Sequence, residues 1–267
     1  MQPVEISLPA IVVFDIDGVV RDVSGSYRRA LADTVEHYTQ GAYRPTQADI
    51  DTLKAEGQWN NDWEASQEFI KRYYKTQPQP QPQVNYPDLV AWFQSRYRGT
   101  DPEHWNGYIC QEPLLMQKSY LDDLTAASIR WGFFSGATRG SANYVLEKRL
   151  GLTSPVLVAM EDAPGKPDPT GLMAAVQQLD PDNTLAPVIY VGDTVADMKT
   201  VHYAQETYPD RSWVAIGVLP PHVHQMPDSV APYRDNLRNA GAISVLDSVT
   251  NLTAPYIHQL LLTTDTD

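Results

Sequence analysis

Two aspartates, Asp15 and Asp17, directly follow the apolar run of residues 11–14, and Gly18 comes next. The apolar run predicts a buried β-strand. Two carboxylates about 4 Å apart repel each other by roughly 4 kcal/mol at an effective dielectric constant of about 20. A pair of acids at the end of a buried strand therefore indicates that a cation binds there.

Polar residues also follow three later predicted strands. Ser135 follows one, Lys166 follows the next, and Asp193 and Asp197 follow a third. The carboxyl ends of parallel strands meet at one edge of a sheet, where ligands bind. Four carboxylates, one hydroxyl and one lysine are therefore predicted to converge. Mg²⁺, a hard cation that takes oxygen ligands, suits this set.

These residue types favour phosphoryl transfer. A carboxylate can attack phosphorus to form an aspartyl phosphate, which splits a difficult hydrolysis into two easier steps. A second carboxyl nearby can protonate the leaving alkoxide and then activate water. Uncatalysed phosphate-ester hydrolysis is extremely slow, so charge neutralisation and positioning must supply most of the acceleration.

The elements that must position these residues form two groups. After residue 111, short apolar strands alternate with helices, which predicts a doubly wound parallel α/β sheet. Residues 23–111 predict helices alone. The expected architecture is an α/β core domain (1–22 and 112–267) with an inserted all-helical cap domain (23–111). Predicted strands lie at 11–14, 131–134, 155–159, 187–191, 212–218 and 242–246, and predicted helices at 26–40, 46–55, 62–74, 87–97, 117–128, 140–150, 170–179, 195–206, 229–240 and 248–262, with a proline-rich linker at 77–83.

Composition narrows the class of partner. The 267 residues carry a net charge of −13, which argues against a nucleic-acid surface or an anionic membrane. A single cysteine, Cys110, excludes an intrachain disulfide and fits a reducing compartment. No basic and apolar leader stands at the start, and no apolar run reaches the length of a membrane span. A cytoplasmic location is expected.

The motifs carry a resemblance to a known family. DIDGV at 15–19, Ser135 after its strand, Lys166 in GKPDP and GDTVAD at 192–197 resemble, in order, the four motifs of the haloacid dehalogenase (HAD) superfamily. The helical block after the first motif is similar to the C1 cap of subfamily IA, the phosphoglycolate-phosphatase-like group. The resemblance implies a Rossmann-like core with a helical cap.

The resemblance also implies a role for each catalytic residue. Asp15 would be the nucleophile and Asp17 the general acid and base. Ser135 would hydrogen-bond the phosphoryl oxygens and Lys166 would neutralise them. Gly18 would allow the tight turn after the strand, and its loop would help to cradle the phosphate.

The remaining implied residues concern the metal and the phosphate. Asp193 and Asp197 would hold Mg²⁺ together with Asp15 and the backbone carbonyl of Asp17. The backbone amide of Gly136 would join the loop after the first strand in cradling phosphate. The family's dehalogenases lack the second aspartate and need no metal, so Asp17 points to phosphoryl transfer.

The implied activity is a Mg²⁺-dependent phosphatase acting on a small phosphorylated metabolite of the phosphoglycolate or sugar-phosphate type. One alternative is a sugar-phosphate mutase or phosphotransferase, but mutases of this subfamily usually carry a histidine in the hinge where Tyr27 stands. Another is a HAD-fold binding or regulatory protein without turnover, in which one of the site residues would be expected to be lost. The segment after Asp197 lacks the subfamily's small-residue pattern, which indicates an atypical branch.

Several arginines lie near the motifs. A substrate with a second anionic group could use such a cation, but most arginines are solvated surface residues. Each is therefore a poor candidate for the site, and a solvated surface position is the expected one. These are Arg21, Arg28, Arg29 and Arg139.

Overall fold

Six strands form one parallel sheet in the computed structural model, which describes residues 9–59, 61–78 and 83–264. Each predicted strand is present, within a few residues of its predicted ends. The strands are β1 (Ala10–Phe14), β2 (Ile129–Phe134), β3 (Leu157–Val158), β4 (Val188–Gly192), β5 (Trp213–Val218) and β6 (Ser244–Leu246).

The strand order is β3-β2-β1-β4-β5-β6, with every pairing parallel. All five residues of β1 are buried, as expected for a central strand covered on both faces. β1 lies between β2 and β4, with Phe14 paired to Phe133 on one side and to Val191 on the other. The order reverses at this point, so the carboxyl ends of β1, β2 and β4 border the crevice where doubly wound sheets bind ligands. The predicted fold class is confirmed.

The predicted helices are also present, with two corrections. The predicted helix 248–262 begins only at Ala254, because Pro255 is tolerated in the first turn of a helix and not in its interior. The predicted helix 140–150 is a short α-helix followed by a π-helical turn at Tyr144–Arg149. The helices are α1 (Tyr27–Tyr38), α2 (Gln47–Ala55), α3 (Asp62–Lys75), α4 (Tyr86–Tyr97), α5 (Lys118–Ala126), α6 (Arg139–Asn143), α7 (Thr170–Leu179), α8 (Val195–Thr207), α9 (Pro221–His224), α10 (Pro227–Asn239) and α11 (Ala254–Thr264).

The chain divides into two compact units, Met1–Asp22 with Leu114–Asp267, and Val23–Pro113. The second boundary falls two residues after the predicted one. That the smaller unit acts as a cap domain stays a prediction. The predicted linker at 77–83 lies partly outside the described residues, since 79–82 are not described.

The smaller unit is built on α1 to α4, which pack through an aromatic core. The ring of Tyr27 meets those of Phe93 and Tyr97 edge-on, with centroids 5.0 and 4.4 Å away. Such edge-to-face pairs add to the stability gained from burial alone. At the start of α2, Thr46 and Asp49 form the reciprocal capping box that their spacing predicts.

A buried ion pair stabilises the opposite edge of the sheet, where the strands begin. Arg211 Nη2 lies 2.8 Å from Asp180 Oδ2, and Arg130 Nη1 lies 3.0 Å from Asp180 Oδ1. Burial alone would raise the pKa of Asp180, but hydrogen bonds from Arg211, Thr184 and Arg130 hold it well below its usual range. Ionised Asp180 is therefore a stabilising group.

Asp180→Asn is expected to lower the free energy of unfolding by about 3–5 kcal/mol at pH 7, because it leaves Arg211 buried without its counter-charge. The pKa of Asp180 is lower in the folded state than in the unfolded state, so the unfolded state takes up the proton first as the pH falls. The stabilisation by ionised Asp180 is therefore complete above about pH 4. It fades as the pH falls further. Urea unfolding at pH 7 and at pH 3 measures this.

Asp182→Asn, at an exposed aspartate two residues away, is the matched control and should change stability by no more than about 0.5 kcal/mol. Equal effects of the two variants at pH 7 would contradict the assignment.

Candidate active site

Lys166 joins two carboxylates at the carboxyl edge of the sheet. Its Nζ lies 2.9 Å from Asp15 Oδ1 and 2.6 Å from Asp197 Oδ1. Asp15 is anchored at the end of β1, where its N–H donates to Val191 O at 2.8 Å. All three side chains are nine-tenths or more buried, so their charges interact in an environment with little screening by water.

Asp197 is held on both of its oxygens. Oδ2 accepts hydrogen bonds from the N–H and the hydroxyl of Thr194. The N–H of Asp197 donates in return to Thr194 Oγ1, which completes a capping box at the start of α8. Oδ1 contacts Lys166 and the hydroxyl of Tyr190, at 2.6 and 3.1 Å. This carboxylate therefore both begins a helix and orients the lysine.

Three carboxylates lie close enough to share a metal ion. Asp15, Asp193 and Asp197 each offer an oxygen, and these oxygens lie within 4.8 Å of one another. Asp15 Oδ1 is buried and makes no hydrogen bond within residues 9–59, 61–78 and 83–264, although Lys166 Nζ is near. Lys166 pairs with two of these carboxylates, and the three candidate donors are all oxygen. The set fits a hard divalent cation.

The burial of this cluster shifts its proton affinities. Burial raises the pKa of Asp15 to about 7; Lys166 acts in the opposite direction, and repulsion from Asp197 and Asp17 adds to the rise. Burial alone would lower the pKa of Lys166, but Asp15 and Asp197 hold it well above its usual range. The lysine is therefore a permanent cation, and the cluster still has an excess of negative charge.

Ser135 stands at the end of β2, one strand away from Asp15. Its Oγ accepts a hydrogen bond from the N–H of Ala137 at 3.2 Å, and its own N–H donates to Val158 O. As an acceptor in that bond, Oγ keeps its proton for donation to another oxygen. Gly136 follows, and a Cβ added there would meet no atom within 4 Å, so its backbone is open to a ligand.

Asp17 is paired with an arginine, whereas Asp15 and Asp197 are paired with Lys166. Its Oδ1 accepts a hydrogen bond from Arg21 Nε at 2.7 Å, and Arg21 Nη2 is 2.6 Å away. The prediction that Arg21 is a solvated surface residue is wrong, since its side chain is fully buried. Arg28 is also buried and is paired with Asp51 at 2.6 Å. Both buried arginines are paired with carboxylates, and these pairings were not apparent from the spacing of residues in the sequence.

Gly18 lets the loop after β1 pass close to Asp193, one of the three carboxylates that could share a metal ion. Its φ is +78°, and a Cβ built on it would lie 2.2 Å from Asp193 Oδ2. The backbone conformation and the close approach both require glycine.

Gly18→Ala is expected to destabilise the protein by about 2–4 kcal/mol, combining a left-handed backbone cost with overpacking. It should also displace Asp193 and impair turnover. Gly41→Ala is the matched control, because Gly41 has φ +80° but open space around its Cβ. Thermal melts of both should show the smaller loss, about 1–2 kcal/mol, at Gly41. Equal losses would show that the contact with Asp193 costs nothing.

Sequence reasoning missed two residues that support the cluster, Tyr190 and Thr194, and it also missed the pairing of Arg21 with Asp17. Thr194 could have been found, because a threonine three residues before an aspartate has the spacing of a capping box. Tyr190 sits within a buried strand, where a tyrosine needs a hydrogen-bond partner, but the partner is not apparent from the sequence. Its hydroxyl lies 3.1 Å from both Asp197 Oδ1 and Phe134 O.

A family model described as haloacid dehalogenase-like hydrolase matches residues 9–205. The chain belongs to this family. The matched range runs from β1 into α8 and contains every residue of the candidate site. The resemblance drawn from the motifs is confirmed, and the chain is a HAD-like hydrolase by family.

The chain is 29% identical over 214 residues to the imidazoleglycerol-phosphate dehydratase of Phytophthora nicotianae. The match covers 79% of this chain but 44% of that protein, so the chain spans less than half of the relative's length.

Solved structures share the fold at low identity. A phosphonoacetaldehyde hydrolase-like protein from Oleispira antarctica superposes with a TM-score of 0.64 at 18% identity, covering 92% of this chain and 90% of that one. The β-phosphoglucomutase of Clostridium difficile superposes with a TM-score of 0.63 at 14% identity, covering 97% of this chain and 100% of that one.

Among the residues that the structure describes, no helix combines the length and apolarity that crossing a bilayer requires.

Proposed function

We propose that this HAD-like hydrolase is a Mg²⁺-dependent phosphatase of a small phosphorylated metabolite, with Asp15 as its nucleophile. The observation that carries the proposal is the buried cluster in which Lys166 bridges Asp15 and Asp197 at 2.9 and 2.6 Å beside Asp193. A carboxylate nucleophile, a fixed ammonium and an oxygen-rich cation site are the groups that phosphoryl transfer to an aspartate needs.

In the first step an Asp15 oxygen attacks phosphorus. The bond from phosphorus to Asp15 forms as the ester P–O bond breaks, and the leaving oxygen takes a proton from Asp17. Lys166, the Ser135 hydroxyl and the backbone N–H of Gly136 would hold the phosphoryl oxygens, whose charge they offset. The product is an aspartyl phosphate on Asp15.

In the second step water replaces Asp15 on phosphorus. Asp17, now ionised, removes a proton from the attacking water, and the Asp15–phosphorus bond breaks to release inorganic phosphate. Both carboxyl groups return to their starting states, so one water is consumed for each ester cleaved.

Asp15, Asp193 and the backbone carbonyl of Asp17 would hold the cation, with Asp197 as a further candidate. Bound there, Mg²⁺ would neutralise the excess negative charge and favour the ionised form of Asp15. Asp197 already uses both oxygens, on Thr194 and on Lys166 with Tyr190, so direct coordination would replace one of these contacts.

Hydrolysis is preferred to the mutase alternative on the evidence of Tyr27. By its position in the hinge, Tyr27 stands where related mutases usually have a histidine. Its ring is 7% exposed and packs edge-on against Phe93 and Tyr97. A phenol fixed in a core is a poor replacement for an imidazole in proton transfer at neutral pH.

The named relative suggests one compound for the substrate panel. Imidazoleglycerol phosphate, to which that dehydratase's name refers, is itself a phosphate monoester. Since the chain spans less than half of that protein, a dehydratase activity is not carried over to it. Phosphate release and loss of water from this compound should be measured separately.

The test is phosphate release from phosphoglycolate, sugar phosphates, glycerol 3-phosphate and imidazoleglycerol phosphate, with and without Mg²⁺. Release that requires Mg²⁺ supports the proposal. Transfer of phosphate to a sugar phosphate without net release would support a mutase. No reaction with any compound, together with tight binding of one, would replace the proposal with a binding or regulatory role.

A further inference from the structure

The loop that carries Asp17 is closed by a buried arginine. The N–H of Gly18 donates to Arg21 O at 2.9 Å, and the N–H of Arg21 donates to Ile16 O at 3.1 Å. These bonds make a tight turn after β1. The Arg21 side chain has no exposed surface, whereas the Asp17 side chain is 28% exposed.

The guanidinium of Arg21 meets one oxygen of Asp17. Nε donates to Oδ1 at 2.7 Å, and Nη2 lies 2.6 Å from the same atom. Removing a guanidinium from water is costly unless it is paired with an opposite charge. Both of these contacts go to Oδ1, so Arg21 fixes the carboxylate through that oxygen.

We propose that Arg21 is a positioning residue that orients Asp17 so that Oδ2 exchanges the proton with the leaving group. This inference rests on the proposed phosphatase function. In the first step the proton on Oδ2 passes to the leaving oxygen as its bond to phosphorus breaks. In the second step Oδ2 accepts a proton from the attacking water. Arg21 touches no reacting atom.

A residue that acts through the general acid has a characteristic effect on substrate preference. An alkyl phosphate such as glycerol 3-phosphate expels a basic alkoxide and depends on protonation, whereas p-nitrophenyl phosphate expels a weakly basic phenolate and depends on it little. The ratio of their kcat/KM values therefore reports on Asp17. Because kcat/KM ends at the first irreversible step, hydrolysis of the aspartyl phosphate does not affect the ratio when phosphoryl transfer is irreversible.

Arg21→Met should lower kcat/KM for glycerol 3-phosphate, or for the best alkyl substrate of the panel, by about 100-fold or more. For p-nitrophenyl phosphate the loss should stay below about tenfold, consistent with a small share of general acid catalysis. Arg21→Lys keeps the charge but loses the planar fork of the guanidinium. Its kcat/KM for the alkyl substrate should therefore lie between those of the wild type and Arg21→Met. The double variant with Asp17→Asn should be no worse than Asp17→Asn alone, since both act on one interaction.

Arg211→Met is the matched control, because Arg211 is also a buried arginine paired with an aspartate in the same unit but at the opposite edge of the sheet. It should lower the melting temperature and leave the substrate ratio unchanged. An Arg21→Met variant that loses activity equally on both substrates would overturn the inference and leave a purely structural role. If Arg21→Met does not fold, the ratio in Arg21→Lys decides the same question.

The stability of Asp17→Asn gives a readout that needs no activity. It should lower the melting temperature, because it removes a counter-charge of a buried guanidinium, and Arg21→Met in the same chain should recover part of the loss. An unchanged melting temperature would overturn the pairing. Failure of the wild type to release phosphate from p-nitrophenyl phosphate and from every compound of the panel would instead overturn the proposed function, and the positioning role with it.

Discussion

Asp15→Asn is expected to lower kcat/KM for the best phosphate ester by at least about 1,000-fold, because an amide is a far poorer nucleophile towards phosphorus than a carboxylate. The melting temperature of the metal-free variant should be no lower than that of the wild type. Burial raises the pKa of Asp15 to about 7, so the ionised carboxylate costs stability as the pH rises from about 4 through 7, and an amide avoids this cost.

The control for this variant is Asp182→Asn, the same substitution at an exposed aspartate of the same unit, which should keep full activity. Phosphate release over a concentration series, with melts at pH 5 and pH 8, measures both effects. An Asp15→Asn variant with activity within tenfold of the wild type would show that Asp15 is not the nucleophile.

Lys166→Met is expected to have the second largest effect. Removing the ammonium leaves Asp15 and Asp197 buried without their shared cation, which should lower the free energy of unfolding by about 3–5 kcal/mol. Phosphate release should fall by about 100- to 1,000-fold, because a fixed positive charge is lost where phosphoryl charge develops. Added Mg²⁺ should restore part of the stability, since it supplies positive charge to the same carboxylates.

Lys118→Met is the matched control. Lys118 also pairs with an aspartate, Asp122, at 2.6 Å, but both side chains are about half exposed. Its loss should change stability by no more than about 1 kcal/mol and leave activity intact. Urea unfolding with and without Mg²⁺ separates the two variants. Equal losses of stability would mean that the Lys166 bridge is no stronger than a surface ion pair.

Elements set by local patterns could be predicted best. The apolar runs of β1, β4 and β5 and the capping box at Thr46 all lie where the sequence placed them, because periodicity and capping act over a few residues. The ends of the helices were predicted less accurately than the strands. At the last helix, Pro255 excluded the predicted start, and the rule that confines proline to the first turn would have allowed the correction.

The candidate site could be predicted as a set of residues but not as a set of contacts. Asp15, Ser135, Lys166 and Asp193 were identified because each follows a strand. The contacts of Asp197 with Tyr190 and Lys166 were not predicted, because they depend on how α8 packs at the end of β4.

The sequence by itself determined which residues stand at the ends of the strands and the family to which the chain belongs. Only the tertiary structure decided which charges are buried and paired. Arg21 shows the difference most clearly: a solvated side chain was expected, yet the side chain is fully buried and paired with Asp17. The free energy of a buried charge depends on the groups packed around it, and distant parts of the chain supply many of them.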